Sequence, residues 1–204
     1  MIFSTEHKWV FIHIPRTGGI SITTSLKAAV PTATATLVEG RHVTAWKLKQ
    51  RDPVAWDKLY RFSTMRSPWD IIASDYRLTL KDVPNQPDDG WTPGWIARVE
   101  RIRQHMSFDR FVEEEYLGKF SCVHRGGFWK TWCCDLDGSD LGVTMYRFDQ
   151  LPEVWPEIAA RCGVPDAQLP HVNAGVVLDV VWRPDLRAAV GQLCRDDIQR
   201  FGYV

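Results

Sequence analysis

The residues from Trp9 to Ser21 read Trp-Val-Phe-Ile-His-Ile-Pro-Arg-Thr-Gly-Gly-Ile-Ser, an apolar run followed by an arginine, two hydroxyls and a pair of glycines. If the run is a strand and the residues from Ser21 onward a helix, the backbone N–H groups of 16–21 lie at the positive end of a helix dipole, which attracts anions. Arg16 adds a fixed charge with a fork of donors, and Thr17 and Ser21 add hydroxyls. Gly18 and Gly19 let the backbone approach a phosphate that a Cβ would obstruct. Ile20 brings no polar side chain and offers its amide alone. A Gly-Gly turn between strand and helix also arises for structural reasons, so the pattern by itself allows a binding role without requiring one.

A second unit of the same kind follows, with a strand over Tyr60–Met65, a turn at Arg66-Ser67-Pro68 and a helix over Trp69–Leu80. Pro68 suits a first helical turn, where its missing N–H is no loss. Arg66 at the strand end and Ser74 two turns into the helix form a second candidate anion site. Two such sites at the carboxyl ends of two strands suit a nucleotide with phosphates at its 5′ and 3′ positions. Neither G-x-x-x-x-G-K-[ST] nor G-x-G-x-x-G is present, so the nucleotide-triphosphatase and dinucleotide fingerprints are absent. Without the metal-binding serine or a clear Walker-B aspartate, the pattern favours an anhydride donor that works without Mg²⁺. A phosphosulfate, with less charge on the transferred group, meets that requirement.

Proton transfer to or from such a donor's partner needs a titratable group. His42 lies between the two candidate cradles and titrates near neutral pH. On the residues alone, a surface or capping histidine is the commoner reading. His13 reads as a buried, hydrogen-bonded strand residue, and His171 as a loop residue near Asn173. His7, His105 and His124 belong to no constellation. Ten tryptophans offer stacking faces, with Trp91 and Trp95 flanking a Pro-rich stretch and Trp129 and Trp132 beside Gly126-Gly127. Packing is the commoner fate of each.

The elements that must position these groups alternate between strand and helix. Besides the two units above, Gly142–Phe148 reads as a strand, while Pro152–Cys162 and Pro184–Arg200 read as helices stopped by Gly163 and Gly202. Ile96–Tyr116 reads as helix in two pieces, broken at Met106-Ser107, with Ser107 as cap. The Pro-, Asp- and Gly-rich residues 82–94 read as a lid or acceptor loop. This order predicts an α/β fold of three layers, with a central, mainly parallel sheet and a P-loop-like strand–turn–helix, in a single domain over 1–204.

Composition bounds the rest. The 204 residues carry 25 basic and 25 acidic side chains, a net charge of zero, so attraction to nucleic acid or an anionic membrane is not indicated. The five cysteines have no zinc-ligand spacing, and their odd number favours reduced thiols. Cys133-Cys134 reads as part of a packed strand. No leader peptide and no run of about 20 apolar residues is apparent, which predicts a cytoplasmic protein.

The segment Phe11–Ile22 resembles the 5′-phosphosulfate loop of the sulfotransferase family related to heparan sulfate 2-O- and 6-O-sulfotransferases, in its bacterial, single-domain form. Phe62–Asp70 with Ser74–Arg77 is similar to that family's 3′-phosphate motif. Tyr146–Leu151, Leu169–Asn173, Asp196–Ile198 and Phe201–Tyr203 extend the likeness in order over nearly the whole chain. The resemblance implies 3′-phosphoadenosine-5′-phosphosulfate (PAPS) as donor, no metal, and a hydroxyl of a carbohydrate or small molecule as acceptor. It implies that Arg16 and the amides of Thr17, Gly18, Gly19, Ile20 and Ser21 hold the 5′ side, that Arg66 and Ser74 hold the 3′-phosphate, and that His42 is the general base. Three positions depart from the family's usual residues: Arg16 replaces lysine, Ile20 a hydroxyl residue and Asp149 glutamate. A small-molecule kinase using ATP and a nucleotide-binding module without turnover are the alternative readings.

Overall fold

The computed structural model describes residues 1–34, 42–80, 93–118, 123, 126–170 and 179–204. In chain order the first elements are β1 (Ile2–Ser4), β2 (Trp9–Ile12), α1 (Gly19–Ala29), α2 (Ala45–Arg51), α3 (Pro53–Trp56), β3 (Tyr60–Met65) and α4 (Pro68–Thr79). They are followed by α5 (Pro93–His105), α6 (Phe108–Phe111), α7 (Phe128–Cys133), β4 (Thr144–Arg147), α8 (Leu151–Arg161), α9 (Pro184–Leu193) and α10 (Arg195–Phe201). The fold is α/β, with a mixed, open, four-stranded sheet in the order β1-β2-β3-β4. The chain divides into two compact units, Met1–Arg66 with Trp129–Ala174, and Ser67–Phe128 with Gly175–Val204.

The first unit contains the sheet. β2 is buried along its whole length, as its apolar sequence requires for a strand covered on both faces. It runs parallel to β3 with Phe11 opposite Phe62, and β3 runs parallel to β4 with Thr64 opposite Tyr146. Helix α1 contributes Ile22 and Leu26 to the core, and α8 contributes Leu151, Trp155, Ile158 and Ala159, in both cases at helical spacing. These side chains meet Trp9, Phe11 and Phe62, each fully buried. Burial of each large apolar group stabilises the unit by roughly 1.5–3 kcal/mol.

The sheet departs from the mainly parallel expectation at its edge. β1 pairs antiparallel with β2, placing Ile2 opposite Phe11 and Ser4 opposite Trp9. The intervening turn, Thr5-Glu6-His7-Lys8, contains none of the Gly, Pro, Asn or Asp residues that mark a hairpin. Lys8 takes the left-handed conformation itself, at φ 55°, and the Ser4 hydroxyl accepts the His7 amide at 3.1 Å. Cys133 and Cys134 are buried as expected but do not form a strand. Cys133 ends α7, and Cys134 makes a single antiparallel bridge to Asp140.

The second unit is helical. Pro68 stands in the first turn of α4, and Ser107 caps α6 by accepting the Arg110 amide at 3.3 Å. Val112–Tyr116, expected as ordinary α-helix, is a π-helical turn. α5 begins at Pro93, inside the segment read as a loop, and the remainder of that segment, including Trp91, lies outside the described residues. The expected helix over Pro184–Arg200 is two helices, α9 and α10, separated at Cys194. An ion cluster holds α4, α5 and the π turn together. Arg98 donates from Nε to Glu115 at 2.7 Å and from Nη2 to Asp75 at 3.1 Å, Arg101 also donates to Glu115, and the Tyr116 hydroxyl donates to Asp75 at 2.9 Å. Among the described residues no helix is long and apolar enough to cross a membrane.

Candidate active site

Beyond Ile12 the chain turns through residues 13–18 into α1. Two residues of this turn are left-handed, Arg16 at φ 66° and Gly18 at φ 85°. Glycine adopts that conformation freely, whereas in a residue with a Cβ it costs about 1–2 kcal/mol. The surrounding hydrogen bonds hold the turn in place. The fully buried Thr17 hydroxyl donates to the Ile14 carbonyl at 2.9 Å. The Thr64 hydroxyl on β3 lies 2.8 Å from the Thr17 carbonyl and 3.1 Å from Thr17 Oγ1, and Ser63 donates to the Ile12 carbonyl at 2.6 Å. Two adjacent hydroxyls of β3 thus brace both the end of β2 and the loop. Because the Thr17 side chain faces inward and its proton is committed to Ile14, Thr17 has its amide, not its hydroxyl, to offer a ligand.

The glycines have a different role from the one their sequence suggests. A Cβ at Gly18 would lie 2.7 Å from Cε2 of Phe148, and a Cβ at Gly19 would lie 2.0 Å from Cδ2 and Nε2 of His13. Both positions are therefore kept bare by aromatic rings of the chain itself. The first-turn amides of α1, beginning at Gly19 and Ile20, have no acceptor within the helix, as in any α-helix. Ile20 and Ser21 are half-buried in that turn, and Arg16 is half-buried in the loop before it.

His42 is exposed and joins the same region through the end of β2. Its Nδ1 lies 2.9 Å from the backbone oxygen of His13. A carbonyl can only accept, so Nδ1 carries the proton, and in the neutral ring Nε2 is the basic nitrogen. The rings of His13 and His42 are 4.5 Å apart between centroids, and the half-exposed Trp132 stands edge-on to His42 at 6.0 Å. His13 is 6% exposed and also stacks on Phe11.

Arg66 follows the last residue of β3, and its guanidinium lies over the Phe148 ring, 4.9 Å from the centroid. The ring that carries Arg66 is the one that packs on Gly18, so Phe148 ties the second candidate cation to the first loop. Arg147 and Asp149 beside it form an ion pair at 2.6 Å. The hydrogen bonds from Arg147 hold the Asp149 carboxyl below its usual range, against a small opposing effect of burial. Ser74 is half-buried in α4 of the second unit.

Other expected participants fall elsewhere. The Trp95 ring carries the Arg98 guanidinium at 4.9 Å, so that face is occupied by the protein's own cation. His124, His171 and Asn173 lie outside the described residues. Among the described residues, no three His, Cys, Asp or Glu side chains gather as a metal centre needs. Sequence reasoning placed Thr64 and Phe148 inside motif segments but assigned neither a role, and it did not foresee the contact between His13 and His42. Each acts across a gap of at least 29 residues, which no local spacing reports. No family model matches the chain, and no curated protein and no solved structure matches it.

Taken together, the first unit sets helix N-terminal amides, an arginine loop held in a left-handed turn, and an imidazole of defined tautomer around the end of one strand. Such a set can hold an anionic group and accept a proton.

Proposed function

We propose that the protein is an O-sulfotransferase that moves a sulfuryl group from PAPS to a hydroxyl of a carbohydrate or small molecule. The observation that carries this reading is the His42 tether. A candidate base is bonded to the His13 carbonyl, at the start of the loop whose amides would receive the donor's 5′-phosphate. In this reading the strand–turn–helix is a P-loop-like phosphosulfate site, within the three-layer fold that the order of strands and helices predicts.

The acceptor oxygen attacks sulfur, forming the new O–S bond while the bond from sulfur to the 5′-phosphate oxygen breaks. The acceptor proton passes to Nε2 of His42, and the products are a sulfate ester and adenosine 3′,5′-bisphosphate. Arg16 and the amides of residues 17–21 stabilise the negative charge that grows on the leaving phosphate. Arg66, steadied by Phe148, holds the 3′-phosphate.

The test is transfer of labelled sulfate from PAPS to a panel of hydroxyl acceptors, with and without EDTA. The expected result is transfer that EDTA does not affect. His42→Ala should slow it by on the order of 10²–10⁴ while the bisphosphate still binds. ATP-driven phosphoryl transfer that EDTA abolishes would replace this reading with a kinase. Bisphosphate binding with no transfer to any acceptor would leave a nucleotide-binding module.

A further inference from the structure

The His42 imidazole is exposed, and its hydrogen bond to the His13 carbonyl competes directly with water, so the net worth of that bond is only about 0.5–1.5 kcal/mol. Packing against a neighbouring ring adds to such a bond in fixing the pose. The His13 side chain offers such a surface, centroid to centroid 4.5 Å away. His13 cannot retreat. It is 6% exposed, Phe11 stacks on it at 5.6 Å, and Gly19 lies so near that a Cβ there would fall 2.0 Å from the ring. A chain of contacts therefore runs from the first residue of α1, through His13, to His42.

We propose that the His13 side chain is a positioning residue, wedged between Gly19 and the His42 ring, that keeps His42 seated on the His13 carbonyl with Nδ1 protonated and Nε2 basic. Its importance for turnover rests on the sulfotransferase reading; the placement of His42 does not. The same wedge makes Gly19 a control point for a histidine that it does not touch. The glycine is required because a methyl group there would drive His13 into His42.

The experiment reads the His42 tautomer directly, by long-range ¹H–¹⁵N correlation of the imidazoles near pH 8, with the signal assigned by its loss in His42→Gln. Wild type should show a protonated Nδ1 and a bare Nε2. His13→Ala should move this signature toward that of a freely exchanging imidazole, whereas His13→Phe, which restores a flat ring, should retain it. Gly19→Ala should shift the signature as His13→Ala does, and the double variant should show no more than His13→Ala alone, because the methyl group then has nothing to push. Sulfuryl transfer should fall by on the order of 10- to 100-fold in His13→Ala and recover in His13→Phe. A wild-type His42 signature in folded His13→Ala, or in Gly19→Ala, would overturn the proposal. If His13→Ala does not fold, retention in His13→Phe together with loss in Gly19→Ala supports it, and any other pair of results overturns it. Expected tautomer shifts without transfer in any variant would count against the sulfotransferase reading and leave the positioning role standing.

Discussion

Replacing Thr64 by valine tests whether β3 braces the loop before α1. Valine keeps the shape and the branched Cβ but exchanges the hydroxyl for a methyl group. Thr64 is fully buried, and its hydroxyl sits 2.8 Å from the Thr17 carbonyl and 3.1 Å from Thr17 Oγ1. Both Thr17 oxygens lie where water does not reach, so the variant loses a hydrogen bond and strands at least one acceptor. A hydrogen bond is worth about 0.5–1.5 kcal/mol net, and an unsatisfied buried acceptor costs about 1–3 kcal/mol. These describe overlapping losses rather than a sum, so the expected destabilisation is about 2 kcal/mol. For a chain of this length, with about 2–4 °C per kcal/mol, Tm should fall by roughly 4–8 °C. Thr64→Ser, which keeps the hydroxyl, should lose much less. Thermal melts of the three proteins measure the shift, and amide hydrogen exchange locates it. Exchange should rise around residues 14–19 before it rises at the buried amides of β2. A Thr64→Val protein with unchanged Tm and unchanged exchange would refute the brace.

Three further outcomes are expected. Arg66→Ala should weaken adenosine 3′,5′-bisphosphate binding about 10- to 100-fold by calorimetry, since a charge-assisted contact is worth about 1.5–3 kcal/mol and 1.4 kcal/mol is tenfold; unchanged affinity would remove Arg66 from the proposed site. Burial pushes the Glu115 carboxyl up, but the hydrogen bonds from Arg101 and Arg98 outweigh it and hold the group below its usual value. A depressed carboxyl stabilises above its unfolded pKa of about 4.3 and loses that contribution as pH falls through the folded value. Glu115→Gln should therefore cost about 3–5 kcal/mol at pH 7 in urea melts, with the gap from wild type closing in acid; a gap that stays constant with pH would refute the assignment. Burial pushes the Cys162 thiol up to about 12, against a smaller pull from the Arg161 charge. Mass spectrometry should find Cys162 unmodified by iodoacetamide at pH 8 in the folded protein and alkylated after denaturation.

The parts of this molecule that are legible in sequence are those that neighbouring residues determine. The apolar run of β2, Pro68 in the first turn of α4, Ser107 at the cap of α6 and the left-handed stops at Gly163 and Gly202 each depend on chemistry within a few residues. β1 escapes for the same reason, because its turn relies on Lys8 in a conformation that a lysine does not announce. The candidate site is legible as a list of residues but not as an arrangement. The bonds that arrange it join His42 to His13, Thr64 to Thr17, and Phe148 to both Arg66 and Gly18.

This difference changes what the glycine pair means. In the sequence, Gly18 and Gly19 read as space left for a phosphate. In the fold, that space on their Cα atoms is already taken by Phe148 and His13. The loop is therefore shaped by contacts within its own chain, with buried threonine hydroxyls bonding on either side of the left-handed Arg16. If the proposed sulfuryl transfer occurs here, a loop fixed in this way would not have to be ordered on binding, and its dipoles would need little reorganisation as charge develops on the leaving phosphate. The two rings that exclude a Cβ also contact the two most chemically suggestive side chains outside the loop, the Arg66 guanidinium and the His42 imidazole. Changing either glycine should then disturb both the rigidity of the loop and the groups around it, a coupling that glycines serving only as clearance for a phosphate would not produce.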